Sequence, residues 1–142
     1  MANTLQIGEA TEAAALQFLL RHGLSLITKN YRCQYGEIDL IMRDGNTLAF
    51  IEVRYRQYVQ FGGSASSITA KKQKKIMNTA LHFLQHHQTN AASRFEIIAI
   101  SPSETKISYT IDWIQNAFMQ FFINFIYPFT NTANKSIFLH DQ

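Results

Sequence analysis

The chain has 142 residues, 46% hydrophobic and 16% charged, with a net charge of +3. That is enough for a single domain with a real core and too few charges for a disordered chain; the mildly basic balance fits a polyanionic partner without requiring one. Cys33 is the only cysteine, which excludes an internal disulfide and a cysteine-rich zinc site and makes a reducing, cytoplasmic compartment the simplest expectation.

The N-terminal stretch MANTLQIGEATEAAA has no basic region followed by a long apolar run, so no signal peptide is expected. Residues 4–22 predict a helix, because Leu5, Ala13, Leu16 and Leu20 fall at helical spacing and Gly23 stands where a capping glycine belongs. Residues 24–33, 36–43 and 47–56 predict three strands, the last two joined by a turn at Asp44-Gly45. After the loop FGGSASS, Thr69 predicts the N-cap of a second helix running to about His87, with KKQKK in its first turns. Residues 94–100 predict a fourth strand and 106–109 a short fifth. From Ile111 onward, Ile111, Ile114, Phe118, Phe122 and Phe125 predict a terminal helix. The aromatic run FMQFFINFIYPF is shorter than the roughly 20 apolar residues of a membrane span, so no membrane association is expected. The order is that of an α/β domain, with helices covering a largely mixed sheet.

The hairpin GEIDLIMRDGNTLAFIEVRYR raises a chemical question. Side chains on a strand alternate faces, so Glu37, Asp39 and Ile41 share one face of their strand, as Leu48, Phe50, Glu52, Arg54 and Arg56 do on theirs. A two-residue Asp44-Gly45 turn sets Asp39 opposite Phe50; a four-residue loop sets it opposite Glu52. Either register puts Asp39 on the Glu52 face, and a three-residue loop without a bulge does not. Two adjacent carboxylates repel and are costly to bury. A divalent cation with oxygen ligands would compensate; so would an ordinary ion-pair cluster with Arg54 and Arg56. Glu9, on the apolar stripe of the first helix, is a third acid able to reach back toward the sheet, or else a boundary residue exposed beside Glu12.

The stretches GEATEAAALQFL, NYRCQYGEIDLIMRDGNTLAFIEVRYR, AKKQKK and RFEIIAI together resemble the YraN-like family, bacterial proteins described as predicted endonucleases. The family is similar to the restriction-endonuclease-like (PD-(D/E)XK) nuclease superfamily and to archaeal Holliday-junction resolvases. The resemblance implies an αβββαβ core with a mixed central sheet and a Mg²⁺- or Mn²⁺-dependent endonuclease-like activity on DNA, on branched or damaged structures. It implies that Asp39 and Glu52 are metal ligands, Glu9 an accessory acid, and Arg54 the occupant of a position that is lysine in most of the superfamily. Arginine does not give up its proton, so Arg54 would hold the scissile phosphate or stabilise its developing charge.

Lys71, Lys72, Lys74 and Lys75 open the second helix, where cations oppose the helix dipole. Phosphate contacts by Lys71, Lys72, Lys75 and Arg56 would give that arrangement a use, and a solvated lysine-rich face is the alternative. His82, His86 and His87 read as exposed helix surface. The rings Phe118, Phe121, Phe122, Phe125 and Phe129 read as core packing of a terminal helix or as a homodimer seam. The resulting division is a nuclease-like domain over 1–117 and an aromatic extension over 118–142. Two other functions compete with the nuclease: a nucleic-acid-binding module with a degenerate site, and a protein-interaction domain using the aromatic helix.

Overall fold

The computed structural model describes residues 3–56, 68–105 and 107–118. Its elements are α1 (Thr4–Arg21), β1 (Ser25–Cys33), β2 (Gly36–Asp44), β3 (Thr47–Tyr55), α2 (Ala70–His86), β4 (Ala92–Pro102) and β5 (Tyr109–Ile114). One five-stranded mixed sheet has the spatial order β1-β2-β3-β4-β5. All neighbours are antiparallel except β3 and β4. A parallel pair needs a crossover connection, and α2 lies in this one.

The helix ends follow from local chemistry. Asn3 caps α1: its side chain accepts from the Gln6 amide at 2.9 Å, and the Gln6 side chain accepts from the Asn3 amide at 3.1 Å. Gly23, at φ +89°, takes the left-handed conformation that follows the helix end. Thr69 caps α2 as the sequence predicts, accepting from the Lys72 amide at 3.2 Å.

The buried stripe of α1 differs from the expected one. It is Thr11, Ala15 and Leu19, whereas Leu5 is 71% exposed and Leu20 39%. Two of the three buried residues are small, which lets the helix lie close to the sheet, and Thr11 returns its hydroxyl to the Ile7 carbonyl at 2.9 Å. Leu40, Met42, Ala49, Ile51 and Ile98 pack under this stripe. On the opposite face Ile41, Phe50, Phe95 and Ile97 pack against Ile76, Ala80 and Phe83 of α2. With both faces covered, β4 is buried without interruption from Phe95 to Ile100.

The sequence expectation also fails at the end of the described chain. The fifth strand is Tyr109–Ile114, pairing Ile100 with Ile111 and Ile98 with Trp113, so Ile111 and Ile114 do not begin a helix. Ile111 and Trp113 pack on the α1 side of the sheet and Ile114 on the α2 side: the two-residue alternation of a strand wins over the three-residue spacing. Phe118 is buried, with its ring 4.7 Å from that of Phe95. Phe121, Phe122, Phe125 and Phe129, and with them the aromatic extension, lie outside the described residues. Among the described residues no helix is long and apolar enough to cross a membrane.

Candidate functional site

The β2–β3 hairpin closes at Asp44 and Thr47, so its turn is Gly45-Asn46, one residue later than Asp44-Gly45, with Gly45 at φ +59°. The ladder runs from that closing pair to Leu40 opposite Ile51 and stops. Continued by one pair, this register would set Asp39 against Glu52, the closer of the two arrangements considered from sequence. At that point the Asp39 side chain replaces the backbone: Val53 donates its amide to Asp39 Oδ2 at 2.8 Å.

Strict alternation also breaks here. Ile38 packs on the α2 side and Leu40 on the α1 side, although they are two residues apart. Alongside, Asn30 of β1 has φ +53° and lies between the pairs Tyr31–Ile38 and Lys29–Leu40. The common face expected for Glu37, Asp39 and Ile41 is therefore interrupted at Asp39, which sits where β2 parts from β3.

Burial first, and then the neighbouring Glu52 carboxylate, pushes the Asp39 pKa up to about 7, against the Val53 amide that favours its charged form. Glu52 is half-buried on β3, with Oε1 3.4 Å from Lys72 Nζ. Arg54, two residues along β3, is also half-buried; burial and then Arg56 lower its pKa, and Glu52 acts in the opposite sense. Glu52, Arg54, Arg56, Thr69 and Lys72 line a cleft of about 330 Å³. Arg56 is exposed, its backbone amide donating to the Ile100 carbonyl at 2.8 Å. Lys71 and Lys75 are exposed on α2. Of the three lysines singled out from sequence, Lys72 alone pairs with a carboxylate among the described residues.

Glu12 is the acid of α1 that the sequence reading passed over. It is half-buried, and its pKa is raised by burial and then by Asp39. With the Asn30 amide oriented nitrogen toward the carboxylates, that nitrogen lies 3.2 Å from Glu12 Oε2 and 3.2 Å from Glu37 Oε1. Glu9 is exposed and lines the same groove, of about 360 Å³, with Glu12, Gln17, Lys29 and Asn30. A signal was present in the sequence: Glu12 precedes Ala15 and Leu19 by three and seven residues, the spacing of a helix face.

Among the described residues no three His, Cys, Asp or Glu side chains gather into a ready-made ligand cage. Asp39 and Glu52 offer two carboxylates, the donor set magnesium uses when water and phosphate complete its octahedron. A half-buried acid whose pKa a neighbouring acid raises is also one that a cation would relieve. The residues present therefore fit Mg²⁺ or Mn²⁺ better than a soft metal. The histidines stand outside this group: His82 is half-buried with Nδ1 2.7 Å from the Tyr31 hydroxyl, and His86 and His87 are exposed.

Fold and site together define an α/β protein with a mixed five-stranded sheet and a carboxylate pair where two of its strands separate. The chain belongs to the Uncharacterised protein family UPF0102, whose profile matches residues 11–100; this is the YraN-like group that the sequence resembles. It is 47% identical over 113 residues to a UPF0102 protein of Methylobacillus flagellatus, covering 80% of this chain and 96% of that one. It is 46% identical over 111 residues to a UPF0102 protein of Nitrosomonas europaea, covering 78% and 92%. A UPF0102 protein of Psychromonas ingrahamii is 49% identical over 113 residues, covering 80% and 89%. The family match takes in Glu12, Asp39, Glu52, Arg54, Arg56 and the α2 lysines and begins after Glu9.

Proposed function

We propose that this chain is a divalent-metal-dependent phosphodiesterase of the endonuclease type, acting on DNA, with Asp39 and Glu52 as the cation's protein ligands. One observation carries the reading: Asp39, half-buried where β2 parts from β3, faces the Glu52 carboxylate, and its pKa is pushed up to about 7. Lys72 offsets Glu52, and Asp39 is the acid that an arriving cation would relieve. The order α1-β1-β2-β3-α2-β4 supports the reading, because it runs parallel to the αβββαβ core of the restriction-endonuclease-like nucleases.

A bound Mg²⁺ would lower the pKa of a coordinated water and so supply the nucleophile. The chain's own residues do the rest. Val53 fixes Asp39 Oδ2, and Asp39 and Glu52 would hold the cation. Arg54 lies in the cleft with Glu52 and stabilises charge on the phosphate without transferring a proton. Arg56 and the lysines of α2 track the DNA backbone irrespective of sequence. Glu12, bridged to Glu37 by Asn30, takes the accessory role that the resemblance assigns to Glu9.

Arg54 also supports a second reading, a DNA-binding module that no longer cleaves, since arginine cannot act as the proton-transferring lysine of such sites. Linear, single-stranded and four-way-junction DNAs incubated with the protein, with and without Mg²⁺ or Mn²⁺, separate the two. The first reading expects cleavage that requires the cation and disappears in Asp39→Ala. It also expects Arg54→Ala to raise the barrier by about 2.7–4 kcal/mol while DNA binding falls much less. Cation-independent binding with no cleavage of any DNA in the panel would favour the binding module.

A further inference from the structure

Lys72 joins the acidic strand β3 to the basic helix α2. Its Nζ lies 3.4 Å from Glu52 Oε1, with the lysine side chain 49% exposed and the glutamate 14%. Its backbone is fixed in the first turn of α2 by the Thr69 cap, while its four-carbon stem lets the ammonium pivot. The cleft it lines holds Arg54 and Arg56 as well, and Glu52 is the one carboxylate among the residues lining it. Such a cleft is cationic except at Glu52, and Lys72 is the group that Glu52 holds.

We propose that Lys72 is an exchangeable counter-ion that couples cation uptake to phosphate binding. This inference rests on the cation reading of Asp39 and Glu52. Without a cation, Lys72 lies in the cleft with its charge offset by Glu52. A divalent cation on Glu52 repels the ammonium, since like charges a few ångströms apart in a partly desolvated site interact strongly. Lys72 is then released from Glu52, and a DNA phosphate held by Arg54 and Arg56 draws its positive charge in. The coupling is reciprocal: phosphate that captures Lys72 frees Glu52 and tightens the cation by the same factor. The anion recognised is a phosphodiester, and the gate is the Glu52–Lys72 ion pair.

The test measures binding rather than turnover. Mg²⁺ is titrated by calorimetry into the wild type and into Lys72→Gln, Lys72→Arg and Lys71→Gln. Affinity for a phosphorothioate-linked DNA duplex, chosen to resist cleavage, is measured with and without Mg²⁺ at constant ionic strength. In Lys72→Gln, Mg²⁺ should bind about fivefold more tightly or better, and the gain in DNA affinity that Mg²⁺ gives the wild type should disappear, as expected when a coupling of ordinary size is removed. Lys72→Arg, which keeps the charge, should retain the coupling. Lys71→Gln, which loses an equal charge one residue away, should leave Mg²⁺ affinity unchanged. Unchanged or weaker Mg²⁺ binding in Lys72→Gln would overturn the inference, as would equal tightening in Lys71→Gln. Mg²⁺ binding that survives Asp39→Ala would instead overturn the underlying cation site.

Discussion

Glu96 and Asp39 are carboxylates sunk into the same sheet two strands apart, and the fold answers them in opposite ways. Glu96 is 1% exposed. It accepts from Arg94 Nε and, at 2.8 Å, from Trp113 Nε1. Arg94 reaches on to Asp44 Oδ2 at 2.6 Å. Burial alone would lower the Arg94 pKa, but its hydrogen bonds with Asp44 and Glu96 carry it above its ordinary value. The network ties the β2–β3 turn to β4 and β5, and Trp113 stands edge-on to Phe18 of α1 at 6.0 Å. Asp39 is half-buried; it accepts from one backbone amide, and the charged group that raises its pKa most is another acid, Glu52. A buried acid supplied with its own cation is a strut. A half-buried acid set against another acid holds its proton to higher pH.

If that contrast is right, removing each acid should move stability in opposite directions. The larger effect belongs to Glu96. Glu96→Ala leaves Arg94 with Asp44 as its remaining carboxylate partner and the Trp113 N–H unmatched, so urea unfolding should show a loss of about 3 kcal/mol. A loss below 1 kcal/mol would show that the network is not a strut.

The smaller effect belongs to Asp39 and has the other sign. Its folded pKa of about 7 stands above the ordinary 3.8, so between those values the folded state binds more protons than the unfolded chain. The metal-free protein should therefore lose stability as pH rises from about 4 to 7 and stay at the lower level above that. Asp39→Asn keeps an acceptor for Val53 and offers Glu52 a donor. It should abolish most of this slope, stabilising the protein at pH 8 by about 1–3 kcal/mol and changing little near pH 4. Thermal melts across that range decide it. A variant less stable than wild type at pH 8 would place Asp39 with the struts.

Much of this was legible in the sequence. Thr69 before a lysine-rich amphipathic run marked α2, and Asp44-Gly45 between two apolar runs marked the hairpin to within one residue, because caps and turns are local chemistry. Asp39 and Glu52 stood out as charges inside strands, and a local register was enough to bring them together. What failed depended on distant partners. The face of α1 is chosen by what it packs on, so Leu5 and Leu20 misled, and Glu12 was passed over in favour of Glu9. Tyr109–Ile114 was misread because the aromatic run after it continues a helical spacing that pairing with β4 overrides. Glu96 went unnoticed for the same reason. Arg94 two residues before it was a readable partner, but Trp113 becomes one only when β5 is a strand. The kink at Asn30 has no signature beyond asparagine's tolerance of positive φ.

A divalent cation held by Asp39 and Glu52 is open to direct measurement by calorimetric titration of Mg²⁺ into the wild type and Asp39→Ala at pH 8 and matched ionic strength. The wild type should show saturable binding, with a rise in unfolding temperature as the ion offsets the repulsion, and the variant neither. Equal binding in both proteins, or a wild type indifferent to Mg²⁺ and Mn²⁺, would contradict a cation held there.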